Sequence, residues 1–132
     1  MGLKVTVRHK YGIKMKPSPE STYERARRIA NLAVWTISLQ CRRLKSSEPE
    51  DGVFIFRKWA DFNFLIVALT RLRRAAVLAS KVNVIKHNIN KALKDFDAAL
   101  PNLKIMRDVA EHIDDYAIEN GKNKNISRTS LE

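Results

Sequence analysis

From Leu3 to Met15 apolar and polar residues alternate. Leu3, Val5, Val7, His9, Tyr11, Ile13 and Met15 occupy the odd positions, with Lys4, Thr6, Arg8, Lys10, Gly12 and Lys14 between them. A period of two is a strand signal, so residues 1–17 are predicted as a short β strand or hairpin with one apolar and one basic face. Such an arm is stable only when it packs on helices or on a second subunit.

Beyond Pro17 the period lengthens. Ser18 before Pro19 is a helix start, and Ser21 with Glu24 is an alternative capping box. The first helix runs to about Leu44, and from Ile29 to Cys41 it is apolar on nearly every side. That pattern places it at the centre of a bundle or against another subunit. The clusters at its ends, Arg25, Arg27 and Arg28, then Arg42, Arg43 and Lys45, are expected to be solvated. Lys45–Gly52 has the composition of a surface loop. A second helix is predicted from about Val53 to Ser80, with Phe62, Leu65, Ile66, Leu69, Leu72, Ala76 and Ala79 inside, and with Trp59 and Phe64 marking a second contact surface.

Asn83 is placed to cap a third helix, Val84 to about Leu100, which buries Ile85, Ile89, Leu93 and Phe96 and leaves His87 on its polar side. Pro101 disfavours helical geometry at Leu100 and separates a fourth helix, Asn102 to about Asn120. Its inner positions are Leu103, Met106, Val109, Ala110, Ile113 and Ala117, with Tyr116 half-buried and Gly121 as C-terminal cap. The fold class is therefore mainly all-α, an up-and-down four-helix bundle over residues 18–121 with an N-terminal β-like arm and a polar tail, 122–132.

Composition agrees with one core. The chain has 132 residues, 45% of them hydrophobic, and only four glycines and four prolines, which argues against a loop-rich or disordered protein. One cysteine, Cys41, permits no disulfide framework and fits a reducing, cytoplasmic setting as a small core residue. The longest uncharged apolar run, Ile29–Cys41, is too short to span a bilayer. No Cys/His spacing suggests zinc and no glycine-rich phosphate loop is present. No metal and no cofactor are expected.

Chemistry gathers in the fourth helix, in Arg107-Asp108-Val109-Ala110-Glu111-His112. Arginine keeps its charge and offers a planar fork to phosphate oxygens. Histidine titrates near neutrality and serves as base or acid. About 140° separates the two on a helical wheel, so one helix aims them poorly at one phosphate. Two such helices crossing at a two-fold axis would bring two pairs together. Asp108 and Asp115, four before and three after His112, lie within its reach, and carboxylates there favour a protonated ring.

This Arg-polar-x-x-x-His spacing on the last long helix resembles the signature of the HEPN superfamily of small helical bundles. The resemblance covers residues 18–121. A weaker likeness lies in Asp61-Phe62-Asn63-Phe64-Leu65-Ile66-Val67-Ala68-Leu69 with the arginines after it. The HEPN resemblance implies a metal-independent endoribonuclease of toxin or defence type, active as a homodimer, with a cognate antitoxin as partner. Arg107 would stabilise the phosphorane, His112 would transfer the proton and Asp108 would orient them. Members modified by a partner nucleotidyltransferase carry a tyrosine two residues after the histidine; here that position is Asp114, and the tyrosine comes at Tyr116.

Charge complicates this reading. The net charge is +11, which attracts polyanions such as RNA. Yet the segment 101–120 is acidic, with Asp108, Glu111, Asp114, Asp115 and Glu119 against Lys104 and Arg107. Other elements must supply the phosphate grip. The candidates are Arg71, Arg73 and Arg74 on the second helix and Lys4, Arg8 and Lys10 on the arm. The competing expectation is a non-catalytic helical module that binds a partner protein or nucleic acid through that basic arm.

Overall fold

A computed structural model describes residues 15–118, 121–124 and 126. The predicted β-like arm, with Lys4, Arg8 and Lys10, lies outside the described residues. Five α-helices follow in order: α1 (Pro19–Lys45), α2 (Arg57–Ala79), α3 (Lys86–Ala99), α4 (Leu103–Glu111) and α5 (Ile113–Ala117), with a 3₁₀ turn at Pro49–Gly52 between the first two. The described residues form helices and loops and contain no strand.

The start of α1 is the one its sequence specifies. Pro19 opens the helix and the Ser18 hydroxyl accepts the Ser21 N–H at 3.1 Å, satisfying one of the amides a helix N-terminus leaves free. Glu24 does not close a capping box; it pairs with Arg27 at 2.9 Å.

Helices α1 and α2 run antiparallel and pack along their length through small residues. Ala26 and Ala33 of α1 and Ala68, Ala75 and Ala79 of α2 are buried in the seam, and Ile66 is the one large apolar residue of α2 that is fully covered. The predicted stripe of α2 is thus only partly inside: Ile66 and Ala79 are buried, whereas Phe62, Leu65, Leu69, Leu72 and Ala76 are half-covered. The reason is geometric. Between two helices only the line of contact is sealed, and alanines there allow close approach while larger side chains flank them.

The expectation for α1 is corrected in the same way, because within one chain its apolar surface is open. Trp35 is 76% exposed, Leu32 64% and Val34 53%. Leu32 of α1 and Phe64 of α2 line one apolar groove of about 650 Å³, with Val67 and Arg71 beside them.

A buried ionic cluster clamps the loop end of this hairpin. The guanidinium of Arg57 donates to Asp51 at 2.5 and 2.8 Å and to Asp61 at 3.0 Å. It also donates to the backbone carbonyls of Arg43 and Ser46 at 2.6 and 2.9 Å. Arg43, expected to be solvated, instead bonds Asp61 at 3.0 Å and Glu50 at 3.3 Å. Hydrogen bonds from Arg57 hold the Asp51 carboxyl well below the usual carboxylate range. Burial pushes Asp61 up, but the bonds from Arg43 and Arg57 outweigh it and its pKa is lowered. Every face of the Arg57 fork has a partner, which is what a buried charge requires. Because these bonds reach back to α1, α2 begins at Arg57 rather than at Val53, and Val53–Phe56 form exposed connecting chain.

Helix α3 ends at Ala99, where Leu100 leaves helical geometry before Pro101, as the proline requires. No residue of α3 is fully buried; Ile85 just before it and its own Ile89, Leu93 and Phe96 are half-covered and His87 is exposed. Helix α4 docks on α2 chiefly through Leu103, its single buried residue, 4% exposed. Met106 and Val109 are half-covered and Ala110, Ile113 and Ala117 are exposed, so the predicted inner face of the fourth helix is largely open. That helix is also not continuous. It breaks at His112, whose backbone (φ −126°, ψ 35°) is both the end of α4 and the beginning of α5.

Candidate anion-binding and Arg/His site

Arg107 lies on α4, five residues before that break, and His112 at the break itself. Arg107 is half-buried near the middle of α4; His112 is exposed at its last turn. The imidazole lies between two carboxylates, with Nε2 4.0 Å from Asp108 and Nδ1 3.9 Å from Asp115. Both distances exceed hydrogen-bonding range, so the ring is flanked by charge but not fastened, and both nitrogens remain open to a third group.

Asp108 is held from the opposite side. The Tyr116 hydroxyl donates to its Oδ2 and in turn accepts the Asn123 backbone N–H at 2.9 Å. The hydrogen bond to Asp108, together with burial, raises the Tyr116 phenol above its ordinary value. Tyr116 is completely buried, deeper than the half-buried packing residue its sequence context suggests. Gly121 accounts for this, because a Cβ there would stand 2.2 Å from two carbons of the Tyr116 ring. Gly121 thus serves as the platform under the ring, and glycine is needed there for close approach.

Two cationic grooves meet at Arg107. The first, of about 490 Å³, runs between α2 and the α3–α4 junction and is walled by Thr70, Arg73, Arg74, Lys104 and Arg107. The second, of about 410 Å³, lies on the other side of α4, between Lys104, Arg107 and Asp108 and the returning Lys122 and Lys124. The Thr70 hydroxyl is buried without a partner among the described residues, on the wall of the first groove.

The arginines singled out on α2 have three different environments. Arg73 is committed to Asp97, with bonds of 2.7 and 2.8 Å that raise its pKa and lower that of Asp97. It is a tether between α2 and α3 with its charge compensated. Arg71 borders the apolar groove between α1 and α2 and is absent from the wall of the cationic groove beside Arg107. Arg74 is exposed and borders both. Of the three, it is the free cation nearest to Arg107. Lys104, Lys122, Lys124 and the role of Tyr116 were not foreseeable as parts of one site. The only hint was the charge reversal after Asn120, where acid-rich sequence gives way to Lys122 and Lys124.

The described residues are thus helical, with His112 at a helix break, Arg107 five residues before it, and cationic grooves beside Arg107. No family model, no curated protein and no solved structure matches the chain. No helix among the described residues is long and apolar enough to cross a membrane.

Proposed function

We propose that this chain is a metal-independent endoribonuclease of the HEPN type, cytoplasmic, acting as a homodimer, with a toxin or defence role and a cognate antitoxin protein as partner. Counting α4 and α5 as one helix bent at His112, its order of long helices is that of a four-helix bundle. The observation that carries the reading is the position of Arg107. The acidic motif helix does not grip phosphate by itself, and the grip comes from elsewhere: Arg74 on one side, Lys122 and Lys124 on the other, all bordering grooves that Arg107 shares.

In the reaction, the ribose 2′-oxygen bonds to phosphorus as its proton passes to a base, and the P–O5′ bond breaks as an imidazolium protonates the leaving oxygen. The products are a 2′,3′-cyclic phosphate and a 5′-hydroxyl. His112 transfers the proton, and His112 of a second copy supplies the complementary base or acid. Arg107 bears the charge that builds on the phosphorane oxygens. Asp108, tethered by Tyr116, keeps one oxygen toward the imidazole. Incubating the protein with mixed RNA in EDTA tests this. Cleavage by the wild type that disappears in both His112→Ala and Arg107→Ala, with the fold intact by circular dichroism, is expected; cleavage retained by either variant refutes it.

The second reading, a non-catalytic module binding a partner protein or nucleic acid, is favoured by one observation. Leu32 and Phe64 line an open groove and are each more than half exposed, and contiguous exposed apolar surface is what interaction sites present. It requires binding that is lost when residues 1–16 are deleted and indifferent to His112→Ala.

A further inference from the structure

Most of the ordered arginines near carboxylates are paired: Arg27 with Glu24, Arg43 and Arg57 with Asp61, Arg73 with Asp97. The groove on the outer side of α4 is different. Lys104, Arg107, Lys122 and Lys124 line it, and none of them forms an ion pair among the described residues. Asp108, the one carboxylate on its wall, already accepts the Tyr116 hydroxyl. Four cations share this groove with a single carboxylate and form no close ion pair with it, so the groove is net positive, and a cleft dominated by one sign of charge attracts the opposite sign.

The segment that carries two of these charges is fastened, not left to drift. Asn123 donates its backbone N–H to the Tyr116 hydroxyl, and Gly121 lies against the Tyr116 ring. One buried phenol therefore secures both Asp108 and residues 121–124, and the second fastening keeps Lys122 and Lys124 beside Arg107. Lys104 and Arg107 border both grooves, so the cations form a track from Arg74 across Arg107 to the tail. A small anion would occupy one groove; a track with cations on both sides of its centre fits a linear polyanion.

We propose that residues 121–124 are a strap that completes a second phosphate subsite, in which Lys122 and Lys124 hold the backbone of single-stranded nucleic acid on the far side of Arg107 from Arg74. The subsite rests on the reading of Arg107 as a phosphate ligand, and it assigns the path of the strand past it. Tyr116 is the positioning residue that holds the strap.

Binding of a fluorescein-labelled 2′-deoxy 12-mer, followed by anisotropy from 50 to 300 mM NaCl, tests the subsite without requiring cleavage. Each phosphate contact on a single strand contributes about 0.7 to the slope of log K against log salt. The double variant Lys122→Ala/Lys124→Ala is expected to lose about 1.4 from that slope. The control Lys86→Ala/Lys91→Ala removes the same charge from α3 and should leave the slope unchanged. Tyr116→Phe removes no charge yet is expected to weaken binding and shallow the slope, because the strap is released. An unchanged slope in the Lys122/Lys124 variant, an equal loss in the α3 control, or no measurable binding by the wild type overturns the proposal. RNA cleavage that persists beside a failed slope test would condemn the subsite and not the nuclease; a successful slope test without cleavage would do the reverse.

Discussion

Leu103→Ala is the most direct test of how α4 is held. Leu103 is the first residue of that helix, 4% exposed, and the only residue of α4 that is fully covered. Truncation to alanine removes three buried carbons, and at about 0.8 kcal/mol for each the transfer loss is roughly 2.4 kcal/mol. The cavity left behind adds to this, and the measured range for such changes begins near 2 and reaches about 5 kcal/mol. A value near 3 kcal/mol is expected. For a domain of this size the unfolding entropy converts that to a fall in Tm on the order of 10 °C. Urea denaturation followed by circular dichroism at 222 nm gives the free energy, and calorimetry the Tm. Because the site rides on α4, oligonucleotide binding should weaken in the same variant before global unfolding. A loss below 1 kcal/mol would mean that α4 is not anchored at Leu103, and the docking described above would be wrong.

Other predictions follow from single features. Asp51 and Asp61 have lowered pKa values in the folded chain, so their stabilisation is present above the unfolded value near 4 and is lost as pH falls toward 2; Tm should drop over that window, and Arg57→Gln should flatten the drop, whereas a flat wild-type profile would dismiss the ionic clamp. Trp35→Ser at a site 76% exposed should change the stability of the monomer by less than about 0.5 kcal/mol; a loss of several degrees in Tm would show that Trp35 is covered in solution. Gly121→Ala forces a carbon into the Tyr116 ring and should destabilise by about 1–3 kcal/mol, as overpacking does, while a neutral result in denaturant titration would remove Gly121 as the platform.

The helices were legible in the sequence wherever a local rule sets them. Ser18-Pro19 and Leu100-Pro101 act through capping and sterics within a few residues, so the start of α1 and the end of α3 needed no tertiary knowledge. The start of α2 failed for the opposite reason. It is fixed by Arg57 reaching Asp51, Asp61 and two carbonyls across the hairpin, and helical periodicity beginning at Val53 carries no trace of that. The choice of core residues failed through size. Hydrophobic pattern gives weight to leucine and phenylalanine, yet a two-helix seam is sealed by its alanines. At the site, the Arg107–His112 spacing could be read directly. The break at His112 could not, because no glycine or proline marks it. Nor could the approach of Arg74, Lys122 and Lys124, which depends on α2 and the tail flanking α4 on its two sides.

The alanine seam also orders events in time. Helices α1 and α2 are joined by a short clamped loop, and their contacts close early because the chain between them is brief. Helices α3 and α4 contribute one fully buried side chain between them, Leu103. Local opening costs least where few apolar groups are covered. Amides of α3 and α4 should therefore exchange with deuterium well before those of the α1–α2 hairpin, and the helix that carries Arg107 would assemble late and loosen early.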